Sequence, residues 1–176
     1  MKAHQTAIKD VLILEPDIYE DHRGFFYESF NLKRFYDATG LDIRFVQDNH
    51  SKSVKGVLRG LHFQTNPFAQ SKLVRVVKGE IFDVAVDLRK DSETFGKWIG
   101  EIISDQNKKQ IWIPRGFAHG FLTLSNTAEV IYKTDNYYSK ENEECILWND
   151  LDININWPNS SKPIISTKDL NGKYLQ

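Results

Sequence analysis

Short β-branched and aromatic runs recur along almost the whole chain, separated by Gly, Asn, Asp, Ser and Pro. They are Val11–Leu14, Gly24–Phe30, Ile43–Gln47, Val57–Phe63, Leu73–Val77, Ile81–Leu88, Trp98–Ile103, Gln110–Ile113, Gly120–Leu124 and Val130–Thr134. Each has the length and composition of a strand. Phe82, Val84, Val86 and Leu88 alternate with Ile81, Asp83, Ala85 and Asp87, the period-two pattern of a half-buried strand. Lys78-Gly79 and Ser125-Asn126 each join two runs and read as hairpin turns, with Gly79 able to take positive φ. One helix interrupts the series. Asn31 is a good N-cap, Leu32, Phe35 and Tyr36 form an i, i+3, i+4 apolar stripe, and Gly40 can end it. So many short strands with turns at this spacing predict an all-β sandwich or closed barrel, of which the jelly roll is the commonest small form.

Composition narrows the class. Hydrophobic residues make up 40% and charged residues 27% of 176, an ordinary globular balance, and no repeat or linker divides the chain, so a single domain over 1–176 is expected. The apolar runs are far too short to span a bilayer, and Met1 to Gln5 is polar with no apolar stretch after it, so neither membrane insertion nor a secretion signal is expected. Cys145 is the only cysteine, which excludes an internal disulfide and makes a cytoplasmic home the simplest reading. Lys and Arg number 23 against 24 Asp and Glu, a net charge of -1 that gives no bulk reason to bind nucleic acid. Recognition of an anion must therefore be local.

The segment Gly56-Val-Leu-Arg-Gly-Leu-His62-Phe-Gln64, continuing to Lys72 and Gly79, overlays the first motif of the cupins: a glycine, a His-x-His pair, a glutamate and a second glycine. Pro114-Arg-Gly116-Phe-Ala-His119 overlays the second, Pro-x-Gly-x-x-His. Metal-binding cupins hold a divalent ion with those histidines and the glutamate. Here Gln64 replaces the second histidine, no glutamate follows shortly, and the ammonium of Lys72 would repel a cation. No metal and no other cofactor is expected.

Proton transfer on an anionic substrate is the economical alternative. His62, close to Arg59, is either a satisfied core histidine or a general base. Lys72 is either a solvated strand lysine or a donor to a developing enolate. Tyr132, in Val130-Ile-Tyr-Lys-Thr134, is either a core or rim aromatic or a proton donor. Arg23-Gly24-Phe25-Phe26 and Gln47-Asp48-Asn49 are polar-aromatic clusters suited to phosphate and base recognition. His4, His22 and His50 stand in polar contexts and read as solvated.

Taken in order, these segments resemble the dTDP-4-dehydrorhamnose 3,5-epimerases, cupins that act on a nucleotide sugar. The resemblance rests on Asp21-His-Arg-Gly-Phe-Phe26 with Glu28, Phe45-Val-Gln-Asp-Asn-His50, Gly56 to His62, Ala69-Gln-Ser-Lys72-Leu-Val74 and Gly79-Glu-Ile-Phe-Asp-Val-Ala-Val-Asp87. It continues through Phe95-Gly-Lys-Trp98, Ile113-Pro-Arg-Gly-Phe-Ala-His-Gly-Phe121, Tyr132-Lys133, Asn136-Tyr-Tyr138, Trp148-Asn-Asp150 and Ser166-Thr-Lys-Asp169. It implies a cupin-type jelly-roll barrel with short flanking helices, and cofactor-free epimerisation at C3 and C5 of a dTDP-4-keto-6-deoxy sugar. A relative that inverts one centre of a related sugar is the alternative. By the same resemblance His62 is the base, Asp169 its carboxylate partner, Lys72 the oxyanion donor and Tyr132 the proton donor. Arg23 and Arg59 fall on the diphosphate, Gln47, Asp48 and Asn49 on the thymidine, and Tyr138 on the thymine ring. Glu28, His119, Glu143 and Lys168 fall on further substrate-binding positions. A homodimer is implied, with Arg23, Phe26 and Glu28 entering the neighbour's pocket. Glu144 and Cys145 depart from the Arg-Gly common in the family.

Overall fold

In the computed structural model, which describes residues 1–158 and 162–175, two facing sheets carry most of the chain. The single-domain expectation also covers residues 159–161 and 176, which lie outside the described residues. The strands are β1 (Lys2–Gln5), β2 (Leu12–Glu15), β3 (Ile18–Asp21), β4 (Gly24–Tyr27), β5 (Gln47–Val54), β6 (Leu58–Gln64), β7 (Lys72–Lys78), β8 (Glu80–Asp87), β9 (Trp98–Ser104), β10 (Gln110–Ile113), β11 (Phe117–Thr123), β12 (Thr127–Thr134) and β13 (Glu143–Cys145). The helices are α1 (Leu32–Thr39) and α2 (Thr167–Leu170). One sheet has six strands in the order β1-β2-β10-β7-β12-β5, the other five in the order β13-β6-β11-β8-β9, and β3 and β4 pair alone. This is the jelly-roll layout, with two sheets that do not close by hydrogen bonding into a continuous barrel.

Several sequence expectations change here. The strand expected at Ile43–Gln47 begins instead at Gln47 and runs to Val54, through Gln-Asp-Asn-His-Ser-Lys-Ser-Val. Its polar composition hides it from a hydrophobic pattern, and β12 pairs with it along its whole length. Neither expected hairpin forms, because β7 and β8 belong to different sheets, as do β11 and β12. Gly79 does take φ of 78°, but to cross between sheets beside the second crossover, where an added Cβ would meet Thr127 O at 2.1 Å. The backbone N–H of Glu80 donates to Ser125 Oγ at 2.8 Å and so ties the two crossings together. Turn chemistry reports the local φ and not which sheet receives the next strand.

The strand β8 is buried on both faces, not one. Ile81 and Ala85 enter the core between the sheets, while Val84 and Val86 pack outward against Ile146, Ile153, Trp157 and Leu175. The chain after β13 therefore roofs the outer face of the five-stranded sheet. On the outside of the other sheet α1 begins at the expected cap, Asn31 accepting from Arg34 N, and ends at Gly40 with φ of 72°. Of its expected stripe only Phe35 is buried, among Phe30, Phe45 and Trp112; Leu32 and Tyr36 remain about half exposed. A helix of eight residues on the rim anchors through one side chain.

Candidate active site

A cavity of about 240 Å³ opens between the sheets and is lined by Ser51, Arg59, His62, Phe63, Gln64, Gln70, Lys72, His119, Phe121, Tyr132, Tyr138 and Glu143. His62, Arg59 and His119 come from the five-stranded sheet, on β6 and β11, whereas Lys72 and Tyr132 come from β7 and β12 of the six-stranded sheet. The base and proton-donor candidates thus reach the cavity from opposite walls.

Simple alternation along β6 would send Arg59 and His62 to opposite faces, yet both line the cavity. A register irregularity between β6 and β11 re-aims them: His62 pairs with His119 and Arg59 with Phe121. Gly60 makes this possible, with φ of 128° and so little room that a Cβ would sit 2.5 Å from Gly120 Cα. The displaced N–H of Gly60 donates to Asp169 Oδ2 at 3.0 Å. The other oxygen, Oδ1, lies 2.9 Å from His62 Nε2. One local irregularity therefore aims the histidine and helps to seat its carboxylate.

Asp169 is buried on α2, which Ser166 caps by accepting from the Asp169 N–H. Burial alone would raise its carboxyl, but the hydrogen bonds from His62 and Gly60 outweigh this and hold it below the ordinary carboxylate range. Lys72 is buried too. Desolvation pushes its ammonium down to about 8 against the opposing pull of Asp83 and Glu143. Its Nζ donates to the His62 carbonyl at 3.2 Å, which links the two walls. Burial raises the Tyr132 phenol, and the charge of Glu143 adds to this while Arg59 opposes it, so the hydroxyl keeps its proton.

At the mouth, Glu143 accepts from Tyr138 Oη at 2.7 Å and pairs with Lys168. Burial would raise the Glu143 carboxyl, but those two partners bring it below its usual value. Arg59 is steadied by Ser53 Oγ at 2.9 Å. His119 is buried, its Nε2 2.9 Å from Asp83 Oδ2; burial drives its imidazole toward the neutral form despite that carboxylate. Asp83 escaped the sequence reading because on β8 it looks like any polar member of an alternating strand. Ser51 was missed as well; its Oγ is buried without a hydrogen-bond partner at the cavity wall.

Not every expected residue joins this cavity. Gln47 Oε1 accepts from Tyr138 N at 3.2 Å and its amide donates to Asn49, so these two flank the mouth. Asp48 faces the other side of the sheet, paired with Lys133 at 2.9 Å. Arg23, Phe26 and Glu28 do not line the cavity of their own chain. Arg23 and Phe26 sit on the exposed β3–β4 hairpin, where Arg23 pairs with Asp21, and Glu28 follows β4 and binds Asn31 and Arg34.

Among the described residues one group could offer three ligands, His62, Cys145 and Asp169, with candidate atoms within 4.8 Å of one another. Both Asp169 oxygens are already engaged by His62 and Gly60, and burial pushes the Cys145 thiol up to about 11, away from the thiolate that a metal needs. At the cupin position, the Gln64 amide donates to Phe68 O and Tyr137 O and accepts from Ser139 N, so it braces the 137–139 loop. This donor set does not fit a divalent ion.

Comparison with known proteins identifies the family. The family model of dTDP-4-dehydrorhamnose 3,5-epimerase matches residues 5–176. A dTDP-4-dehydrorhamnose 3,5-epimerase of Shigella flexneri is 61% identical over 173 residues, covering 98% of this chain and 95% of the relative. The crystal structure of a dTDP-6-deoxy-D-glucose-3,5-epimerase from Legionella pneumophila, in complex with dTDP-4-keto-L-rhamnose, superposes with a TM-score of 0.96 at 51% identity over 99% of this chain and 92% of that one. A 3'-monoepimerase from Streptomyces bikiniensis in complex with dTDP-quinovose superposes at 0.91, with 32% identity over 98% of this chain and 87% of that one. The chain belongs to the dTDP-4-dehydrorhamnose 3,5-epimerase family.

Proposed function

We propose that this protein converts dTDP-4-dehydro-6-deoxy-D-glucose to dTDP-4-dehydro-L-rhamnose by inverting C5 and C3 in turn. The observation that carries this reading is the placing of His62, paired with Asp169, and Tyr132 on opposite walls of one cavity. A carbon next to the C4 ketone loses its proton to His62 on one face. The electrons move into an enolate whose oxygen Lys72 stabilises as a cation in a desolvated site. Tyr132 then returns a proton from the other wall, and return to the opposite face is what inversion means. Asp169 fixes the imidazole and favours the imidazolium formed at each abstraction. The substrate's ketone supplies the acidity; between the two inversions the imidazolium gives its proton to solvent and the Tyr132 phenolate regains one from solvent, so the cycle balances without a cofactor.

Arg59 is assigned to the diphosphate, where a guanidinium fork matches phosphate oxygens. Gln47, Asn49 and Tyr138 are assigned to the thymidine, with Asp48 supporting that strand through Lys133. His119, Glu143 and Lys168 are assigned to the sugar side and the mouth. No helix among the described residues is long and apolar enough to cross a membrane. We assign the enzyme to the cytoplasm, because nucleotide sugars are made there from nucleoside triphosphates.

The test is to supply that substrate with a reductase partner in deuterated water and to look for the rhamnose product with deuterium at both C3 and C5. Label at one centre alone would replace double epimerisation by the single-centre alternative. Tyr132→Phe sharpens the assignment. Washing-in of deuterium should continue, because the base is intact, while inversion falls at least about 10-fold for want of the opposite-face donor. Equal loss of both would remove Tyr132 from that role.

Arg23, Phe26 and Glu28 are assigned to the pocket of a second copy in a homodimer. Tyr19, Phe25 and Phe26 are more than half exposed on the hairpin, an apolar tip that gains by being covered. Mixing His62→Ala with Arg23→Ala subunits should restore about a quarter of wild-type activity, since random pairing makes half the dimers mixed and each mixed dimer holds one intact site. Failure of the mixture to exceed either variant would place Arg23 in its own chain's site or outside the machinery.

A further inference from the structure

Asp169 reaches His62 from a segment with almost no regular structure of its own, so something must hold that segment in place. It is fastened on both sides. Upstream, Ile164 N donates to Gly56 O at 2.8 Å and Leu58 N donates to Ile164 O at 2.9 Å. Downstream, Lys173 N donates to Cys145 O and Leu147 N to Lys173 O, both at 2.8 Å, and Gly172 is pressed against the Ile146–Leu147 peptide. Beyond that clasp Leu175 N donates to Asp150 Oδ2 at 2.8 Å.

Asp150 is an unusual anchor. It is 2% exposed, and the hydrogen bonds to its carboxylate come from backbone N–H groups: Asp152 and Ile153 to Oδ1 at 2.9 and 3.0 Å, Leu175 to Oδ2. One carboxylate thereby joins the turn at 150–153 to the C-terminal tail. Burying a carboxylate is costly unless its oxygens are satisfied, so releasing Leu175 leaves Oδ2 unsatisfied and loosens both partners together. Gly172 permits the chain to lie flat on β13, because a Cβ there would sit 3.0 Å from Leu147 N. The Leu175 side chain packs with the outer core and sets the direction of the tail.

We propose that Asp150 is a positioning residue for the general base. It latches the tail at Leu175, and the latch holds Asp169 at the distance from His62 that proton abstraction needs. This rests on the epimerase reading for its rate measurement but not for its structural readout. A displacement of about 1 Å in a catalytic group can lower a rate by up to about 10²-fold.

Two variants release the latch differently. Asp150→Asn keeps the shape of the side chain and removes acceptor capacity; a chain ending at Tyr174 keeps Asp150 and removes its partner. Each should lose about 10- to 10²-fold in kcat, with dTDP affinity and KM changed less than about three-fold. Placed on an Asp169→Asn background, Asp150→Asn should cost no more than about two-fold, since it acts through a group already disabled. The 15N resonances of the His62 ring in both latch variants should move toward those of Asp169→Asn, a readout that stands even if the substrate proves to be another sugar. Retention of kcat and ring resonances in the shortened chain would overturn the proposal. So would a loss that multiplies with Asp169→Asn. If Asp150→Asn fails to fold, the shortened chain and its own combination with Asp169→Asn decide.

Discussion

His62→Ala is expected to lower turnover by on the order of 10²- to 10⁴-fold while dTDP binding changes little, the range usual for loss of a general base. The reason lies in how the cavity is divided. The candidate nucleotide contacts, Arg59, Asn49, Gln47 and Tyr138, are braced by Ser53, by each other and by Glu143, and none of these hydrogen bonds passes through the imidazole. Truncating His62 should therefore remove abstraction and leave recognition. Deuterium exchange at C5 and C3 should disappear together, because one base serves both centres. Stability should respond in a specific pH window. The Asp169 carboxyl is held below its usual value, so its contribution is complete above the range of an unfolded carboxyl and fades as pH falls through the lower folded value. Without His62 that contribution shrinks, and melting temperatures measured between about pH 3 and pH 7 should show a flatter acid limb than wild type. Near-normal turnover in the variant would end the proton-abstraction account.

The apolar framework of this protein was legible in its sequence because its strands bury β-branched residues. Val11–Leu14, Leu73–Val77 and Ile81–Leu88 lie on or overlap β2, β7 and β8. The parts that were hidden are those whose side chains serve the cavity or the surface. The polar strand β5 alternates half-buried Gln47, Asn49 and Ser51 with exposed Asp48, His50 and Lys52, and of these only Ser51 lines the cavity, so it carries no hydrophobic period to detect. The hairpin β3–β4 is exposed throughout except at Tyr27, and β13 and α2 are too short for any periodicity. The site divides in the same way. His62 and Lys72 could be singled out because Gln64 and Lys72 spoil a metal-binding pattern. Asp169, 107 residues from His62, could be reached only through resemblance, since no local rule links a strand histidine to a distant tail. Asp48 and Asn49 were grouped by adjacency, and the two-residue period of the strand separates their directions.

Lys72 sets the second large effect, and its pH dependence separates it from a lysine that merely fills space. Because desolvation brings its ammonium down to about 8, the protonated form that an enolate needs is lost in the mildly alkaline range. Wild-type kcat/KM should be sustained just below that value and then decline about 10-fold per pH unit above it, since the free enzyme must carry the proton. The phenol of Tyr132 is shifted upward, so it stays protonated through this window and does not confuse the limb. Lys72→Met keeps the length of the side chain and removes the charge. It should cost on the order of 10²- to 10³-fold in kcat, comparable to deleting one oxyanion donor. What remains should be independent of pH between about 7 and 9.5, because the group responsible for the decline is gone. A wild-type profile level to pH 9.5, or a decline that survives in Lys72→Met, would assign the alkaline limb to another residue. In that event the pairing of Lys72 with the His62 carbonyl would be a bridge between the sheets and nothing more.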